Sequence, residues 1–242
     1  MRYFLKFAYK GTNYHGWQSQ PNDISVQSVL TEKISLLLRQ PIELVGAGRT
    51  DAGVHARCMY AHFDLDNTIT DTANIVRKLN SLLPPDIAVD DLFQVADDMH
   101  ARFSAKFRTY RYYVSTKKSP FLNDLAVRFL FNLDVEKMNE AAAKLLEYKD
   151  FTSFSKVHTD VKTNDCDVTY AKWERTDDML IFTITANRFL RNMVRAVVGT
   201  LVEVGKGKMT VEQFCETIEK KNRCAAGMSV PACGLYLEEV GY

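Results

Sequence analysis

The sequence lacks any hydrophobic run long enough to cross a bilayer. A membrane-spanning helix needs roughly 20 consecutive apolar residues, and no segment of the 242-residue chain approaches that length. We also expect no secretory signal, because the first residues show the strand-like alternation of Tyr3, Leu5, Phe7 and Tyr9. We therefore expect a protein that has no membrane partner and works in the cytoplasm.

Cysteine is scarce, and its spacing is not that of a metal or redox site. The five cysteines are odd in number and include no C-x-x-C pair of the kind that binds zinc or cycles between thiol and disulfide. The nearest grouping of metal-ligand residue types is His55, Cys58 and His62. A strand through this segment would place residues 55 and 58 on opposite faces. We expect reduced thiols and no metal site.

Net charge is almost absent, since 31 basic and 30 acidic side chains leave a formal charge of +1. Binding to a polyanion would therefore require a local basic patch. In the segment 102–113 four cations alternate with five aromatic residues and no acid occurs, and Arg188, Phe189, Arg191 and Arg195 repeat this pattern. Cations can contact phosphates while rings stack on bases, so both segments are candidate RNA contacts. The alternative for 102–113 is an edge strand with a solvated face.

Helix-type and strand-type patterns are mixed in both halves of the chain. In the first half we predict strands over 3–10, Ile42–Val45, 58–64, Ile87–Phe93 and Phe107–Thr116, a helix from the Ser25 cap to before Pro41, and a helix from the Asp71 cap through Leu83. In the second half we predict helices over 135–147 after Asp134, over 189–204 before Gly205 and after Thr210, and strands over 167–175, 179–187 and Leu235–Val240. This order favours an α+β chain with an N-terminal lobe over 1–118 and a C-terminal lobe over 119–242.

The segment most suggestive of chemistry is 46–55, Gly-Ala-Gly-Arg-Thr-Asp-Ala-Gly-Val-His. It follows an apolar strand and places three glycines, an arginine and a carboxylate in one turn, where backbone can come close to a ligand. A dinucleotide fingerprint would need glycine at Asp51, and a phosphate-binding P-loop would need Lys followed by Ser or Thr at Val54 and His55. A purely structural turn with a salt-bridged Asp51 is the remaining alternative.

Six segments resemble, in order, the motifs of the TruA-type tRNA pseudouridine synthases, and the resemblance runs from about residue 3 to 240. These segments are Tyr9–Gln18, Gly48–His55, His100–Ser104 with Arg108–Tyr112, Asp150–Phe154, Phe189–Arg195 and Gly234–Leu237. There are two departures. Many relatives carry an arginine between residues 163 and 168, where this chain has Thr-Asn-Asp-Cys-Asp from Thr163 to Asp167, and the chain ends soon after its closing strand.

The resemblance implies a fold, a reaction and an assembly. The fold is two ferredoxin-like lobes sharing a mixed, largely antiparallel central sheet, with a catalytic cleft between the lobes. The reaction is the isomerisation of uridine to pseudouridine in the anticodon stem-loop of tRNA, at uridines 38, 39 and 40, and it requires no cofactor. The implied assembly is a homodimer.

The resemblance also assigns roles to residues. Pseudouridine formation breaks the C1′–N1 bond, turns the uracil and joins its C5 to C1′. Asp51 would either attack C1′ or remove the C2′ proton, and both routes stay open. Arg49 and Arg195 would keep this carboxylate ionised and oriented. Arg49 would also hold the nucleotide out of its helix, with bracing of the turn as the alternative. Tyr110 would stack on the uracil and accept the C5 proton, either directly or through water. Leu235 would form an apolar wall, with core packing as the alternative.

Two other functions are compatible with these motifs. One is the same chemistry on another RNA or at a single position. The other is an RNA-binding relative that has lost catalysis, against which the presence of Arg49, Asp51 and Tyr110 argues.

Overall fold

The structure is a computed structural model that describes residues 1–156 and 163–242. Over these residues the chain has an α+β fold with five α-helices and a mixed central sheet of nine strands, which confirms the predicted fold class. Within the same ranges, no helix is long and apolar enough to cross a membrane.

The strands are β1 (Arg2–Tyr9), β2 (Val45–Gly46), β3 (His55–Asp64), β4 (Ile87–Val95), β5 (Phe107–Ser115), β6 (Val127–Arg128), β7 (Val168–Arg175), β8 (Met179–Ala186) and β9 (Leu235–Gly241). The α-helices are α1 (Val26–Leu38), α2 (Thr72–Leu82), α3 (Val135–Lys144), α4 (Met193–Gly205) and α5 (Val211–Glu219).

Contacts divide the chain into two compact units. The first unit comprises Met1–Lys106 and Leu237–Tyr242, and the second comprises Phe107–Tyr236. The lobe boundary expected between residues 118 and 119 lies inside the second unit, because β5 pairs with β8 along its length. The assignment of lobes over 1–118 and 119–242 remains a prediction.

The first unit is built around β1, which pairs antiparallel with β3 on one side and with β4 on the other. β2 pairs with β3, and the β9 residues of this unit continue the order β4-β1-β3-β9. Side chains on both faces of β1 and β3 are buried, among them Phe4, Phe7, Met59 and Phe63. Helix α2 packs against β4. Pairing with β1 and buried side chains hold β3 in place. The loops at its two ends therefore start from a fixed strand.

The second unit is built around β8, which pairs antiparallel with β5 and β7. The short strand β6 pairs parallel with the end of β5. Helix α3 packs against β7, α4 and α5, and the large buried side chains Trp173, Phe182 and Phe214 lie in this unit. The sheet pairing within both units is largely antiparallel, as predicted.

Four helices begin where their capping residues predict. Ser25 Oγ accepts a hydrogen bond from the Ser28 N–H at 3.1 Å, and the Ser28 hydroxyl in turn accepts one from the Ser25 N–H at 3.1 Å. Asp71, Asp134 and Thr210 likewise accept from the N–H three residues later, at 2.9, 3.1 and 3.2 Å. Each cap satisfies a donor that the first helical turn leaves unpaired, so it fixes the helix start locally.

The prediction of a strand over Ile42–Val45 is wrong for most of its length, because only Val45 and Gly46 pair with β3. Side chains of α1 take the hydrogen bonds of the preceding backbone. The Ile42 N–H donates to Ser35 Oγ at 3.0 Å, and the Leu44 carbonyl accepts from Gln27 Nε2 at 2.8 Å. The return strand β3 also starts earlier than predicted, at His55 rather than residue 58.

Two helix predictions and one omission also need correction. The helix expected from residue 189 begins only at Met193, because Asn192 has the left-handed φ of 67° and the Met193 N–H bonds back to Leu190. Helix α3 is α-helical only through Lys144, and a 3₁₀ turn continues it over Leu145–Glu147. The two-residue strand β6 was not predicted, since two residues cannot show an alternation.

Candidate active site

The turn that carries the predicted catalytic carboxylate joins β2 to β3 and is called here the aspartate turn (46–55). It is braced by the loop over residues 10–18, called the opening loop. The Trp17 N–H donates to the Thr50 carbonyl at 3.4 Å. The Thr50 hydroxyl in turn hydrogen-bonds the Tyr9 hydroxyl at 2.8 Å. The backbone and the side chain of the residue before Asp51 are therefore both held.

Glycine at position 16 allows the opening loop to approach the aspartate turn. Gly16 has a φ of +87°, and a Cβ placed on it would overlap the Thr50 carbonyl oxygen and lie 3.1 Å from the carbonyl carbon of Asp51. Any larger residue would push the two segments apart and would be strained in this backbone conformation. Gly16 belongs to the first of the resembling segments, but its close approach to the aspartate turn was not predicted.

Asp51 itself is half-buried, and its carbonyl accepts the Val54 N–H at 3.2 Å. Gly53 has a φ of +77° and donates its N–H to the Tyr14 carbonyl at 3.3 Å. Arg49, two residues before Asp51, is exposed. The aspartate turn thus holds a half-buried carboxylate in a fixed loop and has an exposed cation beside it in sequence.

The end of the aspartate turn is anchored by His55, which is buried. Its Nδ1 accepts the Gly11 N–H at 2.9 Å, and a Cβ on Gly11 would overlap the Val54 carbonyl oxygen. This imidazole therefore acts as an acceptor for the opening loop. His62, on the same strand, accepts the Ala101 N–H at 3.2 Å.

In the second unit, Tyr110 lies on β5 opposite Ile184 of β8. Its half-buried ring meets Phe189 edge to face, with centroids 5.1 Å apart and planes at 84°. Arg108, two residues earlier and so on the same face of the strand, donates from Nη1 to the Asn187 carbonyl at 2.9 Å. The structure thus joins the two segments that the sequence singled out as basic and aromatic.

Tyr112, the next residue on that face, is fully buried and donates its hydroxyl hydrogen to the Pro231 carbonyl at 2.9 Å. Burial raises the pKa of the Tyr112 hydroxyl, and the Arg195 cation opposes this shift. Tyr113 faces the other side and packs edge to face on Tyr236, with centroids 4.9 Å apart. Both tyrosines therefore have structural contacts that fix β5 next to Tyr110.

Arg195 stands on the first turn of α4. Its Nε donates to the Val230 carbonyl at 2.8 Å, and the Val230 N–H donates to the Arg195 carbonyl at 3.2 Å. Leu235 begins β9 and is 6% exposed. Gly234 lies so close to Tyr112 that a Cβ on it would be 2.8 Å from the ring. The structure therefore groups Arg195 and the segment leading to Leu235 around the buried end of β5.

The segment that departs from the family pattern is tied to its surroundings by hydrogen bonds. Asp165 forms an isolated bridge with Asp150, and the Cys166 N–H donates to the Lys149 carbonyl at 2.8 Å. The Asp167 N–H donates to Asn187 Oδ1 at 2.9 Å. Asn187 therefore accepts hydrogen bonds both from this segment and, through its carbonyl, from Arg108.

Comparison with known proteins agrees with the resemblance seen in the motifs. A family described as tRNA pseudouridine synthase matches residues 7–104 and 141–242. The tRNA pseudouridine synthase A of Bacteroides thetaiotaomicron is 57% identical over 244 residues, covering 100% of this chain and 90% of that protein. The tRNA pseudouridine synthase A of Parabacteroides distasonis is 54% identical over 241 residues, covering 100% and 96%. That of Porphyromonas gingivalis is 53% identical over 244 residues, covering 100% and 97%. The chain belongs to the tRNA pseudouridine synthase family.

Proposed function

We propose that this chain converts uridine to pseudouridine in the anticodon stem-loop of tRNA, at positions 38, 39 and 40. The proposal rests on the aspartate turn of this chain, which belongs to the tRNA pseudouridine synthase family. Asp51 is half-buried there, and Gly16, Trp17 and Thr50 hold the backbone on its N-terminal side. A fixed, partly desolvated carboxylate suits a reaction that begins by breaking a glycosidic bond.

In this proposal Asp51 starts the reaction. Either it attacks C1′ as the C1′–N1 bond breaks, or it takes the C2′ proton to give a glycal. In both routes the uracil leaves as an anion and turns. In the first route its C5 then attacks C1′ as the Asp51–C1′ bond breaks, and in the second C5 bonds to C1′ of the glycal as Asp51 returns the proton to C2′. A base then removes the C5 proton and N1 takes up a proton, which gives pseudouridine. Atoms and electrons balance within the nucleotide, so the reaction requires no cofactor.

The remaining candidate residues support this chemistry. We propose that Arg49 and Arg195 orient the Asp51 carboxylate through their positive charge, and that Arg49 helps to hold the flipped nucleotide. We further propose that Tyr110 stacks on the uracil and takes part in removing the C5 proton, and that Leu235 lies against the base. The contact of Phe189 with the Tyr110 ring supports a stacking role, since it limits the orientations open to that ring.

We also propose that the protein acts as a homodimer in the cytoplasm, where tRNA is modified. The homodimer rests on the family resemblance, and the location rests on the expectation drawn from the sequence. Sedimentation analysis of the purified chain at micromolar concentration tests the first statement, with a mass near twice the 27.6 kDa of one chain as the expected result.

The function is tested by chemical mapping of pseudouridine in tRNA from cells with and without this protein. We expect modification at 38, 39 and 40 to disappear with the protein and to return when purified protein is added to that tRNA. Loss at one position only, or in another RNA only, would favour the alternative of a different target. Unchanged tRNA together with RNA binding by the purified chain would favour a non-catalytic relative.

A further inference from the structure

The turn that links β4 to β5 carries a strongly exposed aromatic ring. The side chain is Phe103, which is 76% exposed and lies in the segment 100–104, called here the phenylalanine turn. The mechanism proposed above assigns it no role. Single exposed apolar side chains are common and need no explanation by themselves, but the construction of this turn is specific.

Three aromatic rings stand in a row from the sheet outwards. His62 of β3 is 4% exposed, and its ring centroid lies 4.6 Å from that of His100. The centroid of His100 lies 4.4 Å from that of Phe103, with the planes inclined at 41°. Phe103 is therefore supported from beneath by a ring that is itself supported from the core.

Hydrogen bonds fix the backbone of the phenylalanine turn. His100 Nδ1 accepts the N–H groups of Arg102 and Phe103, at 3.1 and 3.3 Å. The Ala101 N–H donates to His62 Nδ1, and the Ala101 carbonyl accepts the Tyr242 hydroxyl at 2.7 Å. A ligand that meets Phe103 therefore meets a ring whose backbone is already ordered, which lowers the entropic cost of binding.

The charge around the ring favours a polyanion. The Arg102 guanidinium carbon lies 5.4 Å from the centroid of Phe103, and the segment 99–116 contains no acidic residue. Two exposed acidic residues, Asp97 and Asp98, precede this segment, and both interact electrostatically with Arg2. The Asp97 carboxylate also lies 3.7 Å from the terminal amino group of Met1 and accepts the Arg2 N–H. An exposed ring beside a cation suits a nucleic acid base that stacks while its phosphate meets the charge.

We infer that Phe103 is a stacking platform for an unpaired base of the RNA substrate, with Arg102 contacting the adjoining backbone. This inference rests on the proposed function. The strand β3 separates the aspartate turn, which ends at His55, from the phenylalanine turn, which bonds to His62. Seven residues of strand span roughly 23 Å. The stacked base is therefore a second nucleotide, distant from the uridine that reacts at Asp51.

Affinity for a tRNA transcript provides the first test. Three proteins are compared, with Phe103 unchanged, with Phe103→Leu and with Phe103→Trp. All three also carry Asp51→Asn, so that no turnover occurs during the binding measurement. We expect the leucine variant to bind about tenfold more weakly, because a base loses its stacking partner, and the tryptophan variant to bind as well as the parent. Phe121→Leu is the matched control, since Phe121 is 86% exposed on the 3₁₀ turn Pro120–Leu122 and we expect no change there.

A second test identifies the base. A photoreactive phenylalanine analogue at position 103 should cross-link to one unpaired nucleotide, and that nucleotide is then made abasic in the transcript. We expect Phe103→Leu to lower the affinity for the abasic RNA only slightly, since the stacking partner is already absent. An equal loss on intact and abasic RNA would overturn the inference.

The outcomes separate this inference from the proposed function. Failure of the parent chain to bind tRNA would overturn both. Unchanged affinity of a folded Phe103→Leu variant would overturn only the stacking role, as would loss of affinity for every RNA with a matching drop in melting temperature. A changed sedimentation coefficient with unchanged affinity would assign Phe103 to a contact between copies of the chain instead.

Discussion

The two compact units hold their candidate residues in different ways. In the first unit Asp51 lies on a loop, and backbone groups of the opening loop hold that loop through Gly16 and Trp17. In the second unit Tyr110 and Arg195 stand on a strand and a helix, where neighbouring side chains and carbonyls orient them.

This difference predicts which kind of substitution damages each unit. A loop held by close backbone approach is sensitive to added atoms, because no side chain can move aside to make room. A residue on a regular element is sensitive to loss of its own functional group, while the element itself persists. Substitutions that add atoms in the first unit and remove atoms in the second therefore test the comparison.

The largest effect is expected at Asp51. Asp51→Asn keeps the shape of the side chain but cannot attack C1′ or accept a proton, so pseudouridine formation should fall by at least about a hundredfold. Single-turnover rates on a tRNA transcript measure this loss. Asp90→Asn, which changes an exposed carboxylate on β4 of the same unit, should retain full activity. Activity of Asp51→Asn above that threshold would remove Asp51 from its proposed role.

The next effect tests the backbone contact. Gly16→Ala should lower the free energy of unfolding by about 2 kcal/mol or more, because it adds both a strained φ and a collision with the Thr50 carbonyl. Gly207→Ala separates the two causes, since Gly207 has a φ of +70° but a Cβ there meets nothing within 4 Å. Urea unfolding of both variants gives the comparison, and equal losses would mean that the close approach contributes nothing.

In the second unit, Tyr110→Phe should remove the hydroxyl without removing the stacking ring. We expect tRNA binding near that of the parent and turnover at least roughly a hundredfold slower, which is the lower range for a positioned base. Tyr110→Leu should weaken binding as well, and Tyr170→Phe on β7 serves as the control. Near-normal turnover of Tyr110→Phe would reduce Tyr110 to a stacking role.

A smaller effect is expected from single charges. Arg108→Gln and Arg191→Gln should each weaken tRNA binding several-fold and reduce the slope of log affinity against log salt by about 1, because each removes one phosphate contact. Lys137→Gln and Lys144→Gln on α3 are the controls, since both lysines pair with acids of the same helical region. Equal weakening by the controls would place the basic patch elsewhere.

Features set by neighbouring residues in the sequence were predictable, and those set by distant contacts were not. The four caps at Ser25, Asp71, Asp134 and Thr210 follow from one side chain and a donor three residues later, so their positions could be read directly. The lost strand over Ile42–Val45 depends on hydrogen bonds from α1, and no local pattern reveals them.

The candidate site follows the same division. The motif around Asp51 could be recognised in the sequence, but the contact of Gly16 with Asp51 requires two loops to meet. The irregular start of α4 depends on Asn192, which adopts the left-handed backbone conformation. Asparagine tolerates this conformation, but its presence in a sequence does not predict it. The roles of Asp51, Arg49, Tyr110, Arg195 and Leu235 remain predictions until they are measured.

The last effect concerns the pH dependence of the stability of the first unit. Burial, followed by the Arg2 and His100 charges, lowers the pKa of His62 to about 4 from 6.5, against an opposing effect of Asp64. Burial, followed by the Arg2 and Arg102 charges, also lowers the pKa of His100. Protonation of either ring at Nδ1 would remove an acceptor used by the phenylalanine turn.

The sign follows from proton linkage. Between pH 4 and 6.5 the unfolded chain binds more protons at these histidines than the folded chain, so the free energy of unfolding should rise with pH over this window. We expect His62 to contribute on the order of 2 kcal/mol of this rise. His62→Asn supplies an amide acceptor that does not titrate, and urea unfolding at pH 4.5 and 7 should show a smaller difference for this variant than for the parent. An identical pH dependence would mean that His62 is not buried in its neutral form, and it would remove the support that the row of rings gives to Phe103.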